Sequence, residues 1–101
     1  MRAAAAGLAL ALALPCATLG DELGRKVFTE LAQPPCQLCH TLKAAGAEGT
    51  IGPSLDELKP DLEQALQAVR NGVGIMPSFR DKLTTEQIEA VARYVSEVAG
   101  K

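Results

Sequence analysis

Residues 36–40, with the sequence Cys-Gln-Leu-Cys-His, constrain this chain more than any other feature. They include two of the three cysteines and the only histidine of the sequence. Three kinds of chemistry use such a group: covalent attachment of a haem, coordination of a metal ion such as zinc, and thiol redox exchange. The surrounding sequence decides among them.

The spacing C-x-x-C-H is the attachment pattern of a c-type haem. Residues i and i+3 of a helical turn lie on one side, so Cys36 and Cys39 can reach the two vinyl groups of one porphyrin and form thioethers. His40 comes next, and the tether would hold its imidazole against the iron as the proximal ligand. The spacing therefore favours haem.

The first twenty residues predict a secretory signal peptide that is cleaved after Gly20. They combine Arg2, an apolar run over residues 3–14, and small residues after Pro15, which is the layout of an export signal. The run is too short to span a bilayer comfortably. Cys16 suggests a lipid anchor, but the preceding proline fits that signal poorly. We expect a periplasmic protein without a membrane span, and c-type haem is attached outside the cytoplasm.

The predicted mature chain, residues 21–101, is small and acidic. Removal of Arg2 leaves 9 of the 10 basic residues against 12 acidic ones, a net charge of −3. This balance, without any basic run, argues against a nucleic acid as partner. A domain of about 80 residues buries little core and often needs a staple. With only two Phe and one Tyr available, a large apolar cofactor could supply much of the interior.

Hydrophobic periodicity predicts an all-α domain. Three segments carry apolar residues at helical spacing: 21–32, 60–71 and 84–98. Such spacing is typical of amphipathic helices. Ser54 with Glu57, and Thr84 with Gln87, resemble capping boxes. The connecting segments are rich in Gly and Pro, and no strand with convincing alternation is present.

The competing uses of the cysteines fit less well. A zinc site usually takes four ligands, whereas the mature chain offers only Cys36, Cys39 and His40, so a carboxylate would have to complete the set. A thioredoxin-like dithiol needs a βαβ setting that a helical sequence lacks. A structural disulfide would leave His40 without a role. Haem is the interpretation that uses all three residues.

Elimination gives the sixth ligand of the iron. No second histidine exists, and Met1 leaves with the signal peptide, so Met76 is the only thioether of the mature chain. A lone Met is ordinarily core filler, but Met76 lies in a Gly-rich loop before Pro77, outside any apolar stripe. The loop lets its sulfur approach the iron. We predict a haem with His40 and Met76 as axial ligands and a raised reduction potential.

The order of these motifs resembles that of class I monohaem cytochromes c of the small bacterial type, from Gly24 to about Val98. Residues 52–55, Gly-Pro-Ser-Leu, are similar to the G-P-x-L motif of that family. There the proline carbonyl accepts a hydrogen bond from the proximal histidine ring. The resemblance therefore implies that Pro53 orients His40.

Two further stretches carry the resemblance. Asn71-Gly72, followed by residues 76–79 (Met-Pro-Ser-Phe), resembles the distal loop of the family. Gly24 and Phe28, opposite Tyr94, look like the contact where its first and last helices cross. Together they imply the small cytochrome c fold, with three to four helices packed around one covalently attached haem c.

The sequence departs from the family in two places. The loop between the haem attachment motif and Gly52 is short, and no tryptophan is available to contact a haem propionate. Arg70 or Tyr94 could take that role, although each is more typical of a surface or packing position.

The resemblance implies an electron carrier and not an enzyme, because a six-coordinate iron has no open position for a substrate. We expect one-electron transfer between a periplasmic dehydrogenase and the respiratory chain, with a terminal oxidase or another cytochrome as acceptor. Five apolar loop residues would surround the haem edge as a collar suited to a transient interface: Pro34, Pro35, Val73, Ile75 and Pro77.

Two other functions stay open. If Met76 leaves the iron readily, the chain is a ligand-binding or peroxidase-like cytochrome. Alternatively, it is a tightly bound haem subunit of a periplasmic dehydrogenase. The segments LAQPPCQLCHTL and IGPSLDELKP loosely resemble the haem subunits of bacterial sulfite dehydrogenases.

Overall fold

The computed structural model describes the backbone of residues 16–101 and the side chains from residue 21 onward. Residues 1–15 of the predicted signal peptide lie outside the described residues. The first helix, α1, spans Cys16–Lys26 and so includes Gly20, after which cleavage stays a prediction. None of the helices in residues 16–101 is long and apolar enough to cross a membrane.

Four α-helices form most of the regular secondary structure of residues 16–101, which confirms the predicted all-α class. After α1 come α2 (Leu55–Leu58), α3 (Leu62–Asn71) and α4 (Thr85–Val98). Two strands of two residues each, β1 (Thr41–Leu42) and β2 (Ala47–Glu48), pair antiparallel between α1 and α2. These strands are too short to show the alternation by which a sequence reveals a strand.

The first helix continues beyond α1 in one wider, π-helical turn over Val27–Leu31. Ala32 N donates to Val27 O at 3.1 Å and closes this turn. The turn buries both Val27 and Phe28. The helical segment therefore ends close to residue 32, as predicted, but its last turn has a geometry that often marks functional sites.

Helices α1 and α4 cross at Gly24. A Cβ atom at this position would overlap Tyr94 Cβ and lie 2.5 Å from Ala90 O, so only glycine lets the two backbones approach this closely. One turn further on, the rings of Phe28 and Tyr94 meet edge to face, with centroids 6.4 Å apart. The helix contact expected from the sequence is present.

The helix ends follow the predicted caps in part. Thr84 Oγ1 accepts from Gln87 N at 3.1 Å while Gln87 Oε1 accepts from Thr84 N at 2.9 Å, a complete capping box for α4. Ser54 Oγ accepts from Glu57 N at 3.3 Å, but α2 is a single turn. Helix α3 starts two residues later than expected because Asp61 is its N-cap.

The buried core lies mainly where α1 and its π-helical turn pack against α4, and α3 also packs against α4. Its largest fully buried side chains are Phe28, Leu42, Val27 and Val91. The loops between the helices do not fill the space beside this core. They enclose the cavity that holds the candidate site.

Candidate haem site

A cavity of about 600 Å³ opens between the loops and helices α3 and α4. All five residues that the sequence analysis singled out line it: Cys36, Cys39, His40, Pro53 and Met76. No Asp, Glu, Lys or Arg is among its lining residues. A large apolar cavity with a few converging polar groups is typical of a cofactor site.

The two cysteines lie on a short 3₁₀ turn over Cys36–Leu38. Cys39 N and His40 N both donate to Cys36 O, at 3.1 and 3.0 Å, which holds both cysteines and the histidine on one tight turn. Neither thiol forms a disulfide with another side chain of residues 21–101. Burial raises the pKa of the Cys36 thiol to about 12, so this thiol stays protonated at neutral pH. Redox-active C-x-x-C pairs have the opposite property, a lowered thiol pKa.

The imidazole of His40 is oriented by the backbone. His40 Nδ1 lies 2.8 Å from Pro53 O, and because a carbonyl oxygen only accepts, Nδ1 carries the proton. In this tautomer the lone pair of Nε2 is the one that can bind a metal ion. A hydrogen bond of this kind fixes the orientation and raises the basicity of a ligating histidine.

Two glycines let the following loop pack directly against this histidine. A Cβ at Gly52 would lie 2.7 Å from His40 Cε1, and a Cβ at Gly49 would lie 2.7 Å from His40 N. Gly52 N also donates to Cys39 O at 2.7 Å, and Thr41 Oγ1 donates to Gly49 O at 2.8 Å. Sequence reasoning missed the role of Gly49, whose only signal was its place in a loop rich in glycine.

Met76 also lines the cavity, in the loop over residues 72–79. Gly72 begins this loop with a φ of +79°, where a Cβ would lie 2.7 Å from Met76 O. Val73 N donates to Met76 O at 3.0 Å and Met76 N to Val73 O at 2.9 Å. The Met76 side chain is half-buried and packs against the core.

The predicted apolar collar also borders the cavity. Pro34, Pro35, Val73, Ile75 and Pro77 are all lining residues, and the Ile75 side chain is 84% exposed. Sequence reasoning missed two more exposed apolar residues at the same cavity, Ile51 and Leu58. The only sign of these two residues in the sequence was that each is an apolar residue within a mostly polar stretch.

The two residues considered for a propionate contact do not line the cavity. Neither Arg70 nor Tyr94 is among the lining residues, whose uncharged polar side chains include those of Gln64 and Gln67. Tyr94 is buried in the contact between α1 and α4, where burial raises the pKa of its phenol. Its position is that of a packing residue.

The residues present fit a c-type haem. Two adjacent thiols can form the thioethers, an imidazole with a free Nε2 and a thioether can approach an iron, and an apolar wall suits a porphyrin. Residues 16–101 contain no group of three or more Cys, His, Asp or Glu side chains that could hold a metal ion. The donor set is that of a haem protein.

Comparisons with known proteins identify a family that binds haem. The family model described as cytochrome c oxidase, cbb3-type, subunit III matches residues 22–95. The cytochrome c6 of Gloeothece citriformis is 37% identical over 86 residues, which cover 77% of this chain and 71% of that protein. The cytochrome c6 of Bryopsis maxima is 34% identical over 87 residues, with 75% and 90% covered.

A solved structure is also similar. The c-type cytochrome SorU from Sinorhizobium meliloti superposes with a TM-score of 0.80 at 56% sequence identity, covering 83% of this chain and 95% of that chain. Fold, family match and relatives agree with the resemblance found in the sequence. The chain belongs to the cytochrome c family, as a small monohaem cytochrome that binds one c-type haem covalently and transfers electrons.

Proposed function

We propose that this protein carries one electron at a time on a haem ligated by His40 and Met76, in the periplasm, between a dehydrogenase and the respiratory chain. The observation that supports this most directly is that Cys36, Cys39, His40 and Met76 line one apolar cavity. When bound there, the haem supplies a one-electron iron couple. The chain supplies the tether, the axial ligands and the surroundings.

Each proposed residue has a separate task. The Cys36 and Cys39 sulfurs would hold the porphyrin covalently, and the Pro53 carbonyl, which lies 2.8 Å from His40 Nδ1, would fix the ring so that Nε2 is available to the iron. The Met76 thioether is a soft, neutral ligand that favours ferrous over ferric iron and raises the reduction potential. The apolar wall, which has no charged side chains, also raises the reduction potential, because it stabilises the extra positive charge of ferric iron poorly.

The collar is the proposed surface for electron exchange. Its members Val73 and Ile75 are 63% and 84% exposed, although both are apolar. A small apolar surface of this kind suits a partner that binds briefly and leaves. We propose a periplasmic dehydrogenase as donor and a terminal oxidase or another cytochrome as acceptor.

A permanent complex is the second candidate. It is supported by the resemblance of the haem attachment segment and the segment at residues 51–60 to haem subunits of bacterial sulfite dehydrogenases. Isolation of the native protein with its attached proteins separates the two candidates. A dehydrogenase that stays bound through gel filtration supports a subunit, whereas a cytochrome that elutes alone supports a free carrier.

The ligand set is tested on the exported holoprotein. Mass spectrometry should give residues 21–101 plus one haem, and the ferric absorption spectrum should show a sulfur–iron charge-transfer band. The ferrous protein should bind carbon monoxide slowly, since Met76 has to leave first. Rapid binding at neutral pH, without the band, would instead indicate a ligand-binding or peroxidase-like cytochrome.

A further inference from the structure

The loop that carries Met76 is fastened to the end of α3 on both of its sides. Before Met76, Gly72 N donates to Ala68 O at 2.8 Å, and after it, Phe79 N donates to Val69 O at 2.9 Å. These acceptors belong to the last turn of α3, whose carbonyls lack intrahelical partners. The loop is therefore closed on a single turn of one helix.

A further set of contacts closes the loop from outside the cavity. Arg80 Nη2 donates to Asn71 Oδ1 at 2.5 Å. Ser78 Oγ donates to Arg70 O at 2.6 Å and accepts from Arg80 N at 3.2 Å. The guanidinium of Arg80 is thus bound directly to the end of α3, and its backbone N–H is linked to α3 through Ser78. Arg80 itself does not line the cavity.

Asn71 is held in turn by a row of side chains along α3. Residues four apart lie on one helix face, and here Gln67 Nε2 donates to Glu63 Oε2 at 2.9 Å while Asn71 Nδ2 donates to Gln67 Oε1 at 2.6 Å. Because the amide nitrogen of Asn71 is committed to Gln67, its oxygen is left for Arg80. The row joins a carboxylate to a guanidinium through two amides, an arrangement in which each hydrogen bond polarises the next.

We propose that Arg80 is a positioning residue for Met76. Its contact with Asn71, oriented by Gln67 and Glu63, keeps the loop over residues 72–79 closed and so limits how often the Met76 thioether leaves the iron. The inference rests on Met76 being the sixth ligand, as proposed above. The contact is exposed, so it acts on local opening of the loop and contributes little to global stability.

Carbon monoxide binding to the ferrous holoprotein measures this opening, because Met76 has to leave before the gas can bind. We expect Arg80→Ala to bind carbon monoxide about fivefold faster than the wild type, the scale of one charge-assisted hydrogen bond at a surface. Its thermal unfolding midpoint should stay near that of the wild type. Arg93→Ala is the matched control, since Arg93 is an exposed arginine on α4 without a side-chain hydrogen bond among the described residues.

A double-mutant cycle assigns the effect to the contact. Asn71→Leu removes the acceptor and should accelerate binding as Arg80→Ala does, and the double variant should be no faster than either single one. Effects that instead multiply in the double variant would overturn the inference, because two independent disruptions would then be at work. Equal rates in Arg80→Ala and Arg93→Ala would overturn it as well.

Amide hydrogen exchange separates this inference from the ligand proposal. If the wild type lacks the sulfur–iron band and binds carbon monoxide as fast as Met76→Ala, the ligand proposal fails. In that case, closure of the loop is measured by the hydrogen-exchange rates of the Met76 and Phe79 backbone amides. Faster exchange in Arg80→Ala than in Arg93→Ala supports the role of Arg80 in closing the loop, and equal exchange rules it out.

Discussion

The proximal wall of the cavity, which carries His40, and the distal wall, which carries Met76, differ in how many segments hold them. On the proximal side, Gly52 N donates to Cys39 O at 2.7 Å and His40 Nδ1 lies 2.8 Å from Pro53 O. The β1–β2 ribbon ties the same segments together. On the distal side, the backbone N–H groups of the loop that form backbone hydrogen bonds donate to α3 or within the loop itself.

This difference separates two tasks. The proximal wall packs against the imidazole without room for one more carbon atom at Gly52, so it can fix a ligand in a single orientation. The distal wall carries the exposed apolar side chains of Val73 and Ile75 next to Met76. A single distal loop thus offers both the proposed sixth ligand and the proposed partner surface. Of the two proposed ligands, Met76 is the one expected to dissociate first.

The largest expected effect comes from removing the tether on which both walls depend. The double variant Cys36→Ala, Cys39→Ala should yield no stable holoprotein, because the chain would be left with an unfilled apolar cavity of about 600 Å³ and empty cavities destabilise a fold strongly. Mass spectrometry and the absorption spectrum of the exported protein measure the loss. Leu38→Ala, an exposed position between the two cysteines, is the control and should mature normally. Recovery of a stable double variant with covalent haem would contradict the assignment.

Substitution of Met76 tests the distal wall alone. Met76→Ala should lower the reduction potential, on the order of 0.1 V, and open the iron to carbon monoxide. Met76→His should lower the potential too but keep the sixth position closed. Redox titration and a carbon monoxide titration of each variant measure the two effects. If Met76→Ala kept both the sulfur–iron band and the slow binding of carbon monoxide, Met76 would be a packing residue.

Two glycine substitutions test how tightly the proximal wall is packed. Gly52→Ala places a Cβ 2.7 Å from His40 Cε1, and we expect the free energy of unfolding to fall by about 2 to 3 kcal/mol through overpacking, with a changed haem spectrum. Gly46→Ala meets nothing within 4 Å but has a φ of +67°, so it should cost about 1 kcal/mol of backbone strain and leave the spectrum unchanged. Guanidinium unfolding and the ferric spectrum measure both. A spectrum changed more by Gly46→Ala would contradict this account.

Local patterns predicted the parts of the molecule that local geometry decides. The Thr84 capping box forms in full because its partners are three residues apart, and the C-x-x-C-H turn closes on its own backbone. Gly24 and Tyr94, far apart in sequence, were found only through the resemblance to a family. The helical periodicity located α3 and α4 to within two residues, and it located the end of the first helical segment but not its start at Cys16.

The sequence did not reveal contacts that depend on where distant segments meet. The tight approach of Gly49 and Gly52 to His40 has no local signal beyond the glycines themselves. The same holds for Asp56, whose carboxylate receives backbone N–H groups from residues 13 and 44 positions away. Arg70 was considered as a contact for a haem propionate because of its charge. The charge of a residue does not show whether its side chain faces the cavity.

The smallest expected effect concerns Asp56, which fastens the proximal half of the chain to its C-terminal end. Its two carboxylate oxygens accept from Lys43 N and Gly100 N, each at 2.8 Å. The hydrogen bond from Gly100, followed by that from Lys43, lowers the pKa of this carboxyl below its ordinary value of 3.8. Because the folded-state pKa is the lower one, the contribution of Asp56 to stability is complete above the unfolded pKa and is lost as the pH falls through the folded pKa.

Asp56→Asn should therefore destabilise the protein at neutral pH and lose this effect in acid. An amide has one accepting oxygen, so one of the two backbone N–H groups would face an NH₂ donor instead. A protonated Asp56 has the same shortage of acceptors, so the wild type and the variant should converge at low pH. Guanidinium unfolding over a pH series measures the difference, with Asp81→Asn at an exposed position as the control. A difference that persists unchanged below the folded pKa would show that Asp56 acts through packing and not through its charge. In that case neither wall would depend on a charged carboxylate that joins segments far apart in the sequence.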